Sequence, residues 1–124
     1  EVYAITSLGT LLFVGGTFQR AGFADASRIA RWDGKRWSAL GSFNAEVKAL
    51  TSFGGHLIVG GLFTQHDSKE MHRIAVLENA AWRQLDGGVS GPVNALQGVD
   101  RCVYVCGSFD TAGGKDVIGG VPVR

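Results

Sequence analysis

The sequence predicts an all-β chain made of repeated four-stranded antiparallel units, the blades of a β-propeller. Three observations lead there. The chain repeats itself every 45 to 46 residues: Val2-Tyr3-Ala4-Ile5 returns as Val47-Lys48-Ala49-Leu50 and again as Val93-Asn94-Ala95-Leu96. Leu12-Phe13-Val14-Gly15-Gly16-Thr17-Phe18 returns as Leu57-Ile58-Val59-Gly60-Gly61-Leu62-Phe63, then as Val103-Tyr104-Val105-Cys106-Gly107-Ser108-Phe109. A period in this range, rich in short strands, is the mark of propeller blades. Finally, 19 glycines against two prolines, interleaved with β-branched and aromatic runs, describe strands joined by tight turns.

The first unit divides into four extended segments. Strand a covers residues 2–8, where Val2, Ala4 and Thr6 alternate with Tyr3, Ile5 and Ser7. Gly9-Thr10 turns the chain into strand b, residues 11–16. A polar loop, 19–27, precedes strand c at 28–32. Asp33-Gly34 is a hairpin signal, since both central positions of a type I′ turn need positive φ. Strand d follows at 37–40. The second unit repeats the plan at 47–53, 56–61, 73–77 and 82–85, with Gly54-Gly55 as its first turn.

In the third unit only strands a (93–98) and b (102–107) can be placed. The predicted organisation is therefore 1–45 as one blade, 46–92 as a second and 93–124 as a partial third, about two and a half blades in all. Propellers close with about four to eight blades. The chain is accordingly expected to be part of a larger propeller, completed by further blades or a protein partner. Strand b of the third unit is expected to keep an unpaired edge.

Each recurring position has a mechanical role in a stack of sheets. Gly15-Gly16 and Gly60-Gly61 remove side chains where backbones crowd. Trp37 and Trp82 offer large apolar faces between neighbouring sheets. Phe18, Phe63 and Phe109 are expected to plug the space between blades, and Ile29-Ala30 matches Ile74-Ala75 on strand c. The first unit's outward face, including Tyr3 or Ile5 and Phe13, should be covered in the native assembly.

The order of a strand ending in Gly-Gly, a polar loop, an aromatic on strand c, a hairpin and then a tryptophan resembles the kelch type of propeller repeat. Gly15-Gly16 would be its diglycine, with Trp32 and Trp37 its aromatic–tryptophan pair. The run VGGTF…RIARWDGKRWSALG is similar to a kelch-like variant found in fungal cell-surface polarity-marker proteins and in related large secreted proteins of bacteria and protists. That resemblance implies a large, often extracellular or cell-surface, interaction scaffold and no chemistry. Two departures stand out: Leu77 and Glu78-Asn79 replace the aromatic and the Asp-Gly turn in the second unit, and Cys106 replaces the first glycine in the third.

Twelve basic residues against eleven acidic ones leave a net charge of +1. The arginines and lysines form no stripe, so a nucleic-acid surface is not predicted. No run approaches the roughly 20 apolar residues of a membrane helix, and no membrane insertion by this segment is expected.

The densest set of ligand-type side chains is His66, Asp67, Glu70 and His72 in the second b–c loop. Histidines and carboxylates suit zinc, yet the spacing matches no compact motif and the first unit's loop lacks them except for Asp25. A solvated polar loop without a metal is expected. Cys102 and Cys106, about 13 Å apart on one strand face, are too far apart to bridge each other and read as buried, inert thiols or as partners of cysteines outside this chain. Tyr3 and Tyr104 take core-like strand positions, so a tyrosine–cysteine–histidine oxidase site is not visible. No catalytic, cofactor-binding or metal residues are assigned. The function expected is a non-catalytic scaffold presenting loops to a protein partner or a glycan. The alternative is a piece of a carbohydrate-active or oxidoreductive enzyme whose catalytic residues lie outside this chain.

Overall fold

The computed structural model describes residues 1–22, 24–53, 55–78, 81–84, 88–99, 102–108, 111–112, 115–116 and 120–123. Every regular element among them is a strand. β1 (Val2–Leu8), β2 (Leu11–Gly16), β5 (Ile29–Trp32) and β6 (Trp37–Ala39) form one antiparallel meander in that order. β7 (Val47–Phe53), β8 (His56–Gly61), β11 (Ile74–Glu78) and β12 (Ala81–Gln84) form the second. The third sheet contains β13 (Val93–Val99), β14 (Cys102–Gly107) and β17 (Gly120–Val123).

Each b–c loop carries a small hairpin: β3 (Arg20–Ala21) with β4 (Ala24–Asp25), β9 (Gln65–His66) with β10 (Lys69–Glu70), and β15 (Thr111–Ala112) with β16 (Lys115–Asp116). The sequence pattern does not announce these hairpins. The second has φ of 48° at Asp67 and 71° at Ser68. Both central positions are thus left-handed, the twist that a two-residue hairpin requires.

The repeat extends to backbone detail. All three sheets shift register at the same place in strand a, between Val2/Ala4, Val47/Ala49 and Val93/Ala95. Beside each shift one amide–carbonyl bond recurs at 2.9 Å, from Thr17 N to Glu1 O, Leu62 N to Glu46 O and Ser108 N to Pro92 O. The glycine that ends each of β2, β8 and β14 makes this bond possible. A Cβ on Gly16, Gly61 or Gly107 would lie 1.9, 2.2 or 2.0 Å from that same carbonyl oxygen. Only glycine fits there.

The sheets stack face to face, and the core lies between them. Phe13 and Ile29 of the first sheet meet Val47, Leu50, Leu57, Val59 and Ala75 of the second, with Phe43, Phe63 and Met71 closing one end. On its other side the second sheet sends Ile58, Ile74 and Val76 against Val93, Val103 and Val105 of the third. The second sheet is therefore apolar on both faces, which explains its continuous Leu57-Ile58-Val59 run.

Several expectations need correction. The third sheet has a strand c: Val103, Tyr104, Val105 and Cys106 pair with Val123, Pro122, Val121 and Gly120. The edge of β14 is thus paired and not bare. Pro122 is tolerated because β17 is the outermost described strand of its sheet. Asp33-Gly34 does mark a hairpin, but the two are not the central pair of a type I′ turn. Trp32 pairs with Trp37, Asp33 N donates to Arg36 O at 3.3 Å, and only Gly34 has positive φ, at 100°. Asp33 works through its side chain, whose Oδ1 accepts from Lys35 N at 2.8 Å and Arg36 N at 2.9 Å. Phe13 does not face outward; it is 3% exposed, buried against the second sheet. Gly54, Asn79, Leu85 and Phe109, to which the sequence assigns turn, strand or plug roles, lie outside the described residues.

Candidate functional site

The most promising concavity is a cleft of 520 Å³ between the first and second sheets. Its polar lining is Arg31, His56, His66 and Asp67, set against Leu40 and Trp82. Arg31 reaches it because β5 turns that residue toward the second sheet, at the place where the next repeat carries Val76. Its Nε is buried with no hydrogen-bond partner among the described residues. A guanidinium in this position offers a donor to an anionic or carbonyl group.

His66 is the structural surprise. Predicted as part of a solvated loop, it is only 5% exposed. Its ring lies 4.6 Å from that of Phe43 and 5.0 Å from that of Trp82. Nε2 is 2.7 Å from the Leu40 carbonyl oxygen, which can only accept, so Nε2 carries the proton. Nδ1 then faces Asp67 Oδ2 at 3.8 Å, while Asp67 Oδ1 accepts from Ser42 N at 2.9 Å. The pair ties the b–c hairpin to the linker between the first two sheets. Asn44 adds to that tie, accepting from Thr64 N and Gln65 N at 2.8 and 3.0 Å.

Glu70 and His72 do not join them. They form their own contact, 3.5 Å apart and 81% and 43% exposed. The sequence cluster therefore splits into a buried half and a solvated half. Among the described residues no three His, Cys, Asp or Glu side chains come together to hold an ion.

The remaining candidates move outward. Cys106 is a free thiol, exposed and not buried as expected; no described sheet lies over its face. The side chain of Cys102 lies outside the described residues. Tyr3 and Tyr104 are 44% and 46% exposed, so neither is core. Tyr3 sits in the register shift of β1, with Lys48 Nζ 5.8 Å from its ring centre. The nearby Glu1 charge is the main reason its phenol titrates above the ordinary 10.0.

Two arginines matter that the sequence does not single out. Arg28 and Arg73 hold equivalent positions just before strand c, with φ of 74° and 69°. Each backbone carbonyl accepts from the second glycine at 3.1 Å, and each guanidinium strides across to the linker, to Phe43 O at 2.7 Å and Val89 O at 3.2 Å. Their signal is present in the repeated Arg-Ile-Ala, whose arginine reads as solvated until the strained backbone is seen. No helix among the described residues is long and apolar enough to cross a membrane. No protein-family model matches this chain, and no curated protein matches it.

Proposed function

We propose that the chain is a section of a kelch-like β-propeller that acts as a non-catalytic interaction scaffold, engaging a partner through its b–c hairpins. The observation that carries this reading is a constant frame bearing unlike loops. The register shift, the 2.9 Å carbonyl bond and the glycine approach recur three times. The hairpins standing on that frame share almost nothing: Arg20-Ala21 with Ala24-Asp25, Gln65-His66 with Lys69-Glu70, Thr111-Ala112 with Lys115-Asp116. Residues that serve only stacking need not differ between repeats, whereas recognition loops do. His66 and Asp67 are spent on structure, His66 as a wedge and Asp67 as a tie.

In an antiparallel meander the b–c loop and the c–d turn leave from opposite ends of the sheet. Lys69 and Lys35, both exposed, mark those two ends. Photo-reactive residues placed at 69 and at 35 therefore test the reading. Protein crosslinks from native material should concentrate at 69. Crosslinking equal at both positions, or catalytic turnover by the chain, would overturn the scaffold. Binding to arrayed oligosaccharides that depends on residues 65–70 would keep the scaffold and make its partner a glycan.

A further inference from the structure

One contact repeats in both covered interfaces. A Cβ added to Gly15 would lie 2.3 Å from Val47 Cγ1, and one added to Gly60 would lie 2.5 Å from Val93 Cγ1. Neither spacing admits a side chain. The valine near the start of one sheet plugs the empty space above the first glycine of the sheet before it. Leu50 and Leu96 flank the plug, 3.6 and 3.2 Å from the same two points.

The outer faces of the stack carry the two halves of this device unmatched. On the first sheet, Val2, Ile5 and Leu12 hold the positions of Val47, Leu50 and Leu57 and are 57%, 64% and 40% exposed. That is the plug. On the third sheet the register puts Cys106 opposite Ala95, as Gly15 stands opposite Ala4 and Gly60 opposite Ala49. That socket is filled.

We propose that the Val2, Ile5 and Leu12 face is a docking surface for a further sheet of this repeat type whose second strand ends in Gly-Gly, and that Cys106 bars another copy's third sheet from being that occupant. The face matches the two interfaces already formed. Val2 is the same residue type as Val47, Leu12 the same as Leu57, and Ile5 has the volume of Leu50. A glycine-bearing sheet thus meets the shape it meets twice in this chain. A third sheet from another copy would bring the Cys106 side chain into the volume that Val2 must occupy. A stack with a plug at one end and an open socket at the other invites head-to-tail filaments. Filling the socket prevents that closure with self. The inference rests on the observed stacking and not on the loop-binding reading.

The test uses a donor carrying Ile5→Asp, which spoils its own docking face, with Cys106 either retained or replaced through Cys106→Ala or Cys106→Gly. Glycine is what the first two repeats carry there, so the substitution suits the fold, and Ile5 is exposed enough for Asp. Melting profiles check each variant, with Ile5→Lys as the substitute should Asp lower them. Labelled donor is titrated with unlabelled wild-type chain under reductant and followed by fluorescence anisotropy. The Cys106→Gly donor should bind at least about tenfold more tightly than the donor that retains Cys106, since overpacking a socket costs that much or more. The Cys106→Ala donor should gain nothing, because its Cβ alone overfills the socket, and Ile5→Asp in the acceptor should abolish the glycine donor's gain. Equal binding by the Cys106→Gly donor and the donor retaining Cys106, including none by either, overturns the proposal. So does binding that survives Ile5→Asp in the acceptor.

Discussion

The first and second sheets carry the same strand pattern in different surroundings. Val47, Leu50 and Leu57 are 0%, 8% and 1% exposed; Val2, Ile5 and Leu12, at the same positions one repeat earlier, are 57%, 64% and 40% exposed. Strand register, turn positions and the glycine pair are shared. The difference is the neighbour. Burial in this molecule belongs to the interface between repeats and not to the repeat itself, as expected where each unit contacts only the next.

The largest effect should come where that frame admits no adjustment. Gly61→Ala sets a Cβ 2.2 Å from the Glu46 carbonyl oxygen, a backbone atom that cannot swing aside. A loss above about 4 kcal/mol, or failure to fold, is expected by denaturant unfolding, because few single changes without such a cause reach that size. A loss under about 1 kcal/mol, within the range of ordinary substitutions, would mean that the approach does not exist.

The next pair breaks the comparison most cleanly. Leu57→Ala should cost about 2–5 kcal/mol, as truncation of a buried leucine does. Leu12→Ala, the same substitution on the open face, should cost far less, nearer the roughly half kcal/mol typical of surface changes. Equal losses would show that the first sheet is also covered. Trp82 and Trp37 sharpen the point. Trp82 stands edge-on to Phe43 at 5.3 Å inside the closed interface, whereas Trp37 packs beside Ala21 and Phe18 on the open side. Trp82→Ala should therefore lower stability by about 3 kcal/mol or more, and Trp37→Ala by clearly less.

The smallest effect is electrostatic. The Arg36 and Lys35 amides donate to Asp33 and hold its carboxyl below the ordinary 3.8. Because the folded value is depressed, this contribution is present above pH 3.8 and is lost as pH falls through the lower folded value. Asp33→Asn should flatten stability slightly in that acid range and leave it unaltered in slope near neutrality. Exposure of the turn keeps the change below those above.

How much of the molecule is legible in its sequence varies with the physics involved. Strands a and b can be placed almost to the residue, because β-branched alternation and closing glycines are local signals. Strand c of the third sheet escapes that reading. Gly120-Val121-Pro122-Val123 carries proline and lacks the Arg-Ile-Ala of the other repeats, and only its pairing with β14 makes it a strand. Of the cleft, the sequence offers His66 and Asp67 as polar loop residues. Nothing local shows that His66 is drawn inward by Phe43, Trp82 and the Leu40 carbonyl, contacts 16 or more residues distant in the chain. The positive φ of Arg28 and Arg73 is equally hidden, since glycine and asparagine are the residues that announce it. Tyr3 is exposed because it sits in the register shift of β1. Tyr104 and its buried repeat equivalents Phe13 and Ile58 differ for the same reason that separates the first two sheets. Their strands look alike, but their neighbours do not.

Native-state hydrogen exchange tests the stack most directly. β2 and β8 have the same hydrogen-bonded partners on both sides within their sheets, so in-sheet bonding alone predicts equal protection. Stacking predicts otherwise: the amides of β7 and β8 should exchange most slowly, at least about tenfold more slowly than those of β1, whose opening exposes little that is buried. Equal protection across β1, β2, β7 and β8, or the fastest exchange in β8, would contradict a second sheet held between two neighbours.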